Sequence, residues 1–241
     1  MLREIGSVFS FLTILPSNNA SLETIARYMY IFPIVGIAIG LAIGGIGFGL
    51  SLFLEPLIVA LLVVASLALI TGIHHIDGLA DFADGLMVKG TKEKKLQAMK
   101  DVSTGSAGIV AVVLCLVGAI ISLSLIRGFE IFYAILLSEI FAKFSMVLQA
   151  SLGRSAAVGS NSPFVQIMKD KKRLLAAFAI TIVPLVVLGG TTGLVVFGVG
   201  ITITLFILAI STRGFGGITG DILGATNELT RLSSLLIFAS L

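Results

Sequence analysis

An all-α, polytopic membrane bundle of six to seven transmembrane helices, with its polar motif loops on the cytoplasmic side, is the fold class this sequence predicts. The first observation behind it is a mean hydropathy of +1.12. The second is composition: of 241 residues, 57% are hydrophobic and only 12% charged, about half the charged share of a soluble domain. One aqueous core cannot bury that much apolar surface, which excludes a water-soluble enzyme or a disordered chain. The third is that the apolar residues form continuous runs, several long enough for the ~20 residues a helix needs to cross a bilayer. Residues 1–241 read as a single integral membrane domain, with neither a domain boundary nor an internal repeat.

The elements follow in order. Residues 1–20 carry Arg3, a short apolar run and then small residues, as a secretory signal would. Glu4 follows Arg3 at once, however, so an interfacial helix ending near Pro16 fits better. The clear spans are 30–54, 56–73, 109–126 and 129–150. The stretch 174–211 is interrupted by Gly189, Gly190 and Gly193, and reads as two short spans joined by a tight turn. The tail 229–241 is apolar but short, a candidate seventh, partial span. Helices are required because backbone groups in lipid must be satisfied within their own segment, and the alternating ~10-residue segments of a β-barrel are absent. Gly36, Gly40 and Gly44 make a small-residue face for helix packing.

With no Trp and only 3 Tyr, the boundaries must come from charge. Lys89, Lys92, Lys94, Lys95 and Lys100 lie between the second and third spans, and Arg154, Lys169, Lys171, Lys172 and Arg173 between the fourth and fifth. The intervening loops hold Glu55, then Arg127, then no charge. This bias places the N-terminus and both basic segments in the cytoplasm. The net charge of +3 and pI near 9.1 therefore report topology, and no nucleic-acid polymer is expected as a partner. A single Cys115 inside an apolar run excludes an intrachain disulfide and a multi-cysteine metal site.

The chemistry concentrates in 74–108. Its first part reads as a helix continuing straight out of the second span, with His74, Asp77, Asp81 and Asp84 on one arc ~80° wide and Leu79, Phe82 and Leu86 opposite. Stacked carboxylates repel one another and are costly near a bilayer. The five lysines begin only at Lys89, so nothing inside the run neutralises it. A divalent cation would, and hard oxygen donors without cysteine suit Mg²⁺ or Mn²⁺ better than zinc. The alternative is a solvated polar collar marking the cytoplasmic exit. His74 is expected to donate a hydrogen bond to a carboxylate or phosphate, with His75 a polar cap pointing elsewhere.

Two further patches lie on the same side. "MKDVSTGSAG" adds Lys100, Asp101, two hydroxyls and Gly105 at a helix start, where free N–H groups attract phosphate; the alternative is ordinary capping by Ser103 or Thr104. "RGFGGITGDILGATNEL" offers Gly216, Gly217 and Gly220 for close backbone approach, with Thr219, Asp221 and Glu228 as polar groups; it also reads as a plain re-entry turn. Inside the fourth span, Glu139 and Lys143 are spaced for an ion pair, structural or functional.

"HHIDGLADFADGL", "MKDVSTGSAG" and "GGITGDILGATNEL", with "FLTILP" and "FPIVGIAIG" near the start, resemble the cobalamin-5′-phosphate synthases, also called adenosylcobinamide-GDP ribazoletransferases. The resemblance runs from Phe11 to about Leu229. It implies a polytopic membrane enzyme needing Mg²⁺, which joins adenosylcobinamide-GDP to α-ribazole 5′-phosphate (or α-ribazole) and releases GMP. Under it, Asp77, Asp81, Asp84 and Asp101 would hold the metal and Asp84 or Asp101 would act as general base. His74, Lys100, Gly105, Gly217, Thr219 and Asp221 would bind substrate. The implied partners are those two substrates and the lipid bilayer, and homo-oligomerisation is left open. Two positions depart from the family pattern: Ser103 stands where an arginine is usual, and Glu139 follows Ser138 where an arginine often does. Lys100 or Lys143 would then have to supply the missing phosphate contact. "DFADGLMVK" also echoes the opening motif of CDP-alcohol phosphotransferases, whose final aspartate would fall at Gly105. A cation or proton transporter using the carboxylates is the alternative of a different class; its ionisable groups would be expected near the midplane and in repeated halves.

Overall fold

The computed structural model describes residues 2–16, 21–156 and 162–241; residues 17–20, the small-residue end of the leader-like start, lie outside them. Eleven α-helices follow one another among these residues: α1 (Leu2–Leu12), α2 (Leu22–Arg27), α3 (Phe32–Ser51), α4 (Pro56–Ile70), α5 (His74–Met87), α6 (Lys92–Ala98), α7 (Ser106–Leu125), α8 (Glu130–Leu152), α9 (Ser162–Ile167), α10 (Lys171–Gly214) and α11 (Gly220–Ser240). The one β feature described is an isolated parallel bridge, Ser155 with Ile218. The all-α membrane bundle expected from composition is what the chain forms.

Helix α8 is its axis. Every residue from Ala134 to Ala150 is buried, and α3, α10 and α11 pack around it. The glycine face of α3 explains how close one neighbour comes. A Cβ at Gly36 would lie 2.5 Å from the Glu139 carbonyl oxygen, and one at Gly40 2.7 Å from the Leu136 Cα. The two backbones touch where the sequence placed its small-residue stripe, and dispersion over that contact replaces the hydrophobic drive that lipid cannot supply.

Length and hydropathy together single out four described helices able to cross a membrane: α3 with the turn before it, α7, α8 and α10. Three features separate this number from the six to seven expected. Helix α10 has 44 residues, and if straight would extend ~66 Å. Instead it breaks at Gly190 (φ 52°, ψ −130°), and Gly193 comes against the Leu185 carbonyl of its own first half. Both ends also meet the same short segment, Lys169 Nζ donating to Gly153 O at 2.7 Å and Arg154 Nε to Gly216 O at 2.8 Å. So α10 doubles back, as the glycines at 189–193 suggested. Helix α4 has only 15 residues. And α11 runs unbroken for 21 residues from Gly220, so the tail read as starting at 229 is the second half of a helix whose first half is polar.

The second span does not continue straight into the aspartate run. Gly72 (φ 65°) and Ile73 (φ 64°) break the helix, and α5 leaves α4 at 89°. A β-branched residue in the left-handed region costs roughly 1–2 kcal/mol, so surrounding packing must hold this corner. Helix α5 therefore lies across the end of the bundle, against α11 and α7.

The α3–α8 contact is testable by size. Gly40→Leu should destabilise the purified protein by ~1–3 kcal/mol or more, because the Leu136 backbone cannot move aside. Gly45→Ala on the same helix, where an added Cβ meets nothing within 4 Å, should leave the thermal midpoint in detergent nearly unchanged. Equal effects of the two would show that the stripe does not set the approach.

Candidate active site

The amphipathic α5 presents two faces, as its spacing required. Leu79 and Phe82 are buried beneath it, Asp77 is exposed, and Asp81 and Asp84 are half-buried. What brings this helix to the rest of the site is a glycine crossing. A Cβ at Gly78 would stand 2.7 Å from the Asp221 carbonyl, and one at Gly224 3.1 Å from the His75 Cα. Helix α5 thus rests directly on the first turns of α11, and the carboxylates of two motifs some 140 residues apart in sequence become neighbours. The effect is visible on Asp81, whose carboxyl is pushed up to about 7, first by burial and then by the charges of Asp77, Asp221 and Asp84.

Asp84 does something the sequence did not suggest. Its Oδ2 accepts from Gly105 N–H at 2.6 Å and its Oδ1 from Gly108 N–H at 2.9 Å. It is a remote cap that supplies acceptors to the otherwise unpaired N–H groups at the start of α7. A Cβ at Gly105 would fall 2.5 Å from Asp84 Oδ1, so glycine there admits the carboxylate. The Gly105 donor assigned to substrate phosphate is thus already engaged by protein.

The other expected site residues are placed as follows. Asp101 is exposed and its Oδ1 accepts from Ser103 N–H at 2.9 Å, a turn that leaves it off the α5 stripe. Lys100 is exposed and its charge acts on Asp221. Thr219 caps α11, accepting from Ile222 N–H at 3.2 Å, and its hydroxyl donates to Asp221 Oδ2 at 3.3 Å. Gly217 is buried against the backbone of 154–156, where Ile218 N–H donates to Arg154 O and Ala156 N–H to Ile218 O; its place is explained by that contact. Among the described residues, no three His, Cys, Asp or Glu side chains stand together as a ready-made metal site.

A cavity of about 450 Å³ opens beside the carboxylates. His74, Asp77 and Asp221 line it from α5 and α11, and Ser10, Phe11, Phe32 and Phe164 from α1, α3 and α9. His75 lines it too, is only 7% exposed, and has an Nδ1 without a hydrogen-bond partner in the structure. The reading of His75 as an outward polar cap is corrected: helical rotation puts it under α5, where α11 covers it.

Sequence reasoning also missed most of a polar core. Glu139 meets Lys143 at 3.5 Å and Arg231 at 3.1 Å. Arg231 also pairs with Glu228, and Lys143 donates to Asn227 at 2.7 Å. The sequence pattern predicts only the Glu139–Lys143 pair, with Glu228 as a polar group of the glycine-rich patch. Asn227, Glu228 and Arg231 share a helical face, but the tail was read from 229 onward as merely apolar. Lys143, expected as a substitute phosphate ligand, is fully buried and spent on this network.

The two carboxylates should separate in a stability series. In chelator, Asp84→Asn should lower stability by ~1–3 kcal/mol through a lost acceptor at the α7 start. The native state holds a proton on Asp81 that the unfolded chain releases near 3.8, so metal-free stability should fall as pH rises from 3.8 to about 7. Asp81→Asn should flatten that slope without destabilising. Melting curves across pH check both, and a stabilising Asp84→Asn would remove the capping role.

Comparison with known proteins completes the picture. The family model described as cobalamin-5-phosphate synthase matches residues 4–239. The adenosylcobinamide-GDP ribazoletransferase of Pyrococcus abyssi is 34% identical over 236 residues, covering 97% of this chain and 96% of its own length. The protein of that name from Thermococcus onnurineus is 36% identical over 236 residues (97% and 96%), and that from Geotalea daltonii 35% over 246 (100% and 98%). No solved structure matches significantly. With the aspartate helix, the glycine-led start of α7 and the Thr219–Asp221 turn all inside the matched region, the chain belongs to the cobalamin-5-phosphate synthase family.

Proposed function

We propose that this protein joins adenosylcobinamide-GDP to α-ribazole 5′-phosphate, or to α-ribazole, with release of GMP. It does so as a Mg²⁺-dependent multi-pass enzyme of the cell membrane whose site faces the cytoplasm. The observation that carries the reading is the crossing of α5 on α11 at Gly78 and Gly224, which puts Asp77 and Asp221 in the lining of one cavity and within electrostatic reach of Asp81. The family supports the substrate class.

The reaction forms a bond from a ribose hydroxyl oxygen to phosphorus and breaks the phosphoanhydride bond to GMP. Little is asked of the protein beyond positioning and charge balance. Burial and then the neighbouring charges of Asp77, Asp221 and Asp84 hold a proton on Asp81; a divalent cation would relieve the second of these, and a donor set of oxygens suits Mg²⁺. Asp77, Asp81, Asp84 and Asp101 would hold it, each Asp84 oxygen keeping a second lone pair beside its bond to α7. When bound, Mg²⁺ supplies charge neutralisation to the pyrophosphate oxygens. Of the two candidate bases, Asp101 has the freer carboxylate to take the hydroxyl proton, since both oxygens of Asp84 are engaged with α7. His74 and Asp221 orient the substrates at the cavity wall, with Thr219 holding Asp221 through its hydroxyl, and Lys100 offsets charge passing to the leaving group. Transport is disfavoured: the carboxylates gather at one end of the bundle, and the charges at its centre are paired with each other.

Two measurements test this. Asp77→Asn, Asp81→Asn and Asp101→Asn should each lower the turnover number for GMP release in detergent by at least ~10²-fold, the scale of a lost electrostatic or acid–base group; near-normal turnover in all three would end the assignment. Single cysteines at Lys92 and Thr191, both exposed, should label from opposite sides of intact cells, Lys92 from within. Labelling from one side would overturn the proposed orientation.

A further inference from the structure

We propose that the cavity between α1, α5, α9 and α11 is the subsite for the benzimidazole base of the ribazole substrate, with three phenylalanines as its apolar wall and His75 contacting the free ring nitrogen. The inference rests on the reaction proposed above and deepens it, for nothing in that reaction says where either substrate's ring sits.

Size narrows the occupant first. About 450 Å³ lies in the range of pockets for small organic ligands and suits one nucleoside, whereas a corrin macrocycle with its side chains is far larger. Two planar bases remain, the benzimidazole of ribazole and the guanine of the GDP moiety. The lining decides between them. Phe11 and Phe164 are stacked with ring centroids 5.6 Å apart, and Phe32 stands 6.2 Å from Phe11 and 6.5 Å from Phe164. Met29, Met146 and Leu223 extend the same surface. Guanine carries hydrogen-bonding groups around most of its edge, and even with Ser10, His74, Asp77 and Asp221 also lining the cavity, those set against the phenylalanines, methionines and Leu223 would go unpaired at a cost that disfavours the ligand. A methylated benzimidazole presents apolar edges and one acceptor nitrogen.

The structure has one unsatisfied group to meet that nitrogen. His75 lines the cavity, is 7% exposed, and its Nδ1 lacks a partner. Buried polar groups are nearly always hydrogen-bonded, so such an exception asks for an explanation. In the tautomer carrying hydrogen on Nδ1, His75 donates to the ring nitrogen. Asp77, Asp221 and His74 line the same cavity from α5 and α11, whereas the phenylalanines come from α1, α3 and α9, so a base held on the phenylalanines has the carboxylates in the same cavity as its ribose, where the hydroxyl must react.

The test uses full-length protein in detergent with both substrates, and pairs α-ribazole with an indole analogue in which carbon replaces the free ring nitrogen. Wild type should show about tenfold higher KM for the indole compound, the worth of one hydrogen bond, and His75→Leu should reduce that ratio to about one. Ser10→Phe, which fills the cavity, and Phe11→Ala, at a partly exposed position, should raise KM for ribazole about tenfold with KM for adenosylcobinamide-GDP within about twofold. If the variants instead raise KM for the GDP substrate, the cavity holds guanine and the proposal falls. It also falls if the benzimidazole-to-indole ratio survives His75→Leu. Absence of GMP release by wild type would refute the reaction itself. Direct binding of α-ribazole, read by quenching of its fluorescence in wild type and Ser10→Phe, would then still decide the cavity: equal binding by both rejects it.

Discussion

Inside a bilayer a charge has no water to retreat to, and this architecture is organised around that fact. Two acids and two bases, Glu139, Lys143, Glu228 and Arg231, sit where α8 meets α11, with Asn227 closing the set. Each is nearly or wholly inaccessible. Desolvating such ions costs several kcal/mol apiece, repaid only when partners stand in good geometry. The network is therefore satisfied only by one rotation and one depth of α11 against α8. That register carries Gly224 and Asp221 to the bundle end at a fixed height, where α5 can lie across them.

At the bundle end the rule is reversed. The charges of Asp77, Asp221 and Asp84 bear on Asp81 with far less compensation, and added to its burial they hold its proton up to about 7. Like charges gathered on a scaffold that pairs its other ions so thoroughly mark the part of the molecule built for something outside itself. Asp84 links the two regimes. Its carboxylate belongs to the acidic stripe, yet both oxygens are used to seat the start of α7, so the acidic helix and a membrane helix are fastened by the same residue.

Glycine provides the close contacts on which both regions rely. The stripe on α3 lets two backbones touch in the bundle, and Gly78 with Gly224 lets two helices cross at contact distance over the site. Neither contact survives an added Cβ without backbone movement. At Gly190 the requirement is different: a backbone conformation closed to other residues turns a 44-residue helix back on itself.

Composition and periodicity alone determined the membrane class, the helical nature of the chain, the small-residue face of α3, the turn in α10 and the carboxylate stripe, because each is a property of a run of residues or of helical spacing. The motifs alone likewise pointed to the family. What the tertiary structure decided are the relations between runs. The right-angle bend at Gly72 and Ile73 was invisible because the apolar pattern passes through it unbroken. His75 was misjudged because spacing says which face a residue occupies but not which neighbour covers it. Asp84 as a cap, and Asn227 and Arg231 as partners of α8, depend on contacts between residues more than twenty and more than eighty positions apart. Local pattern carries no information about such contacts, since only packing in three dimensions sets which helix ends and which buried charges meet.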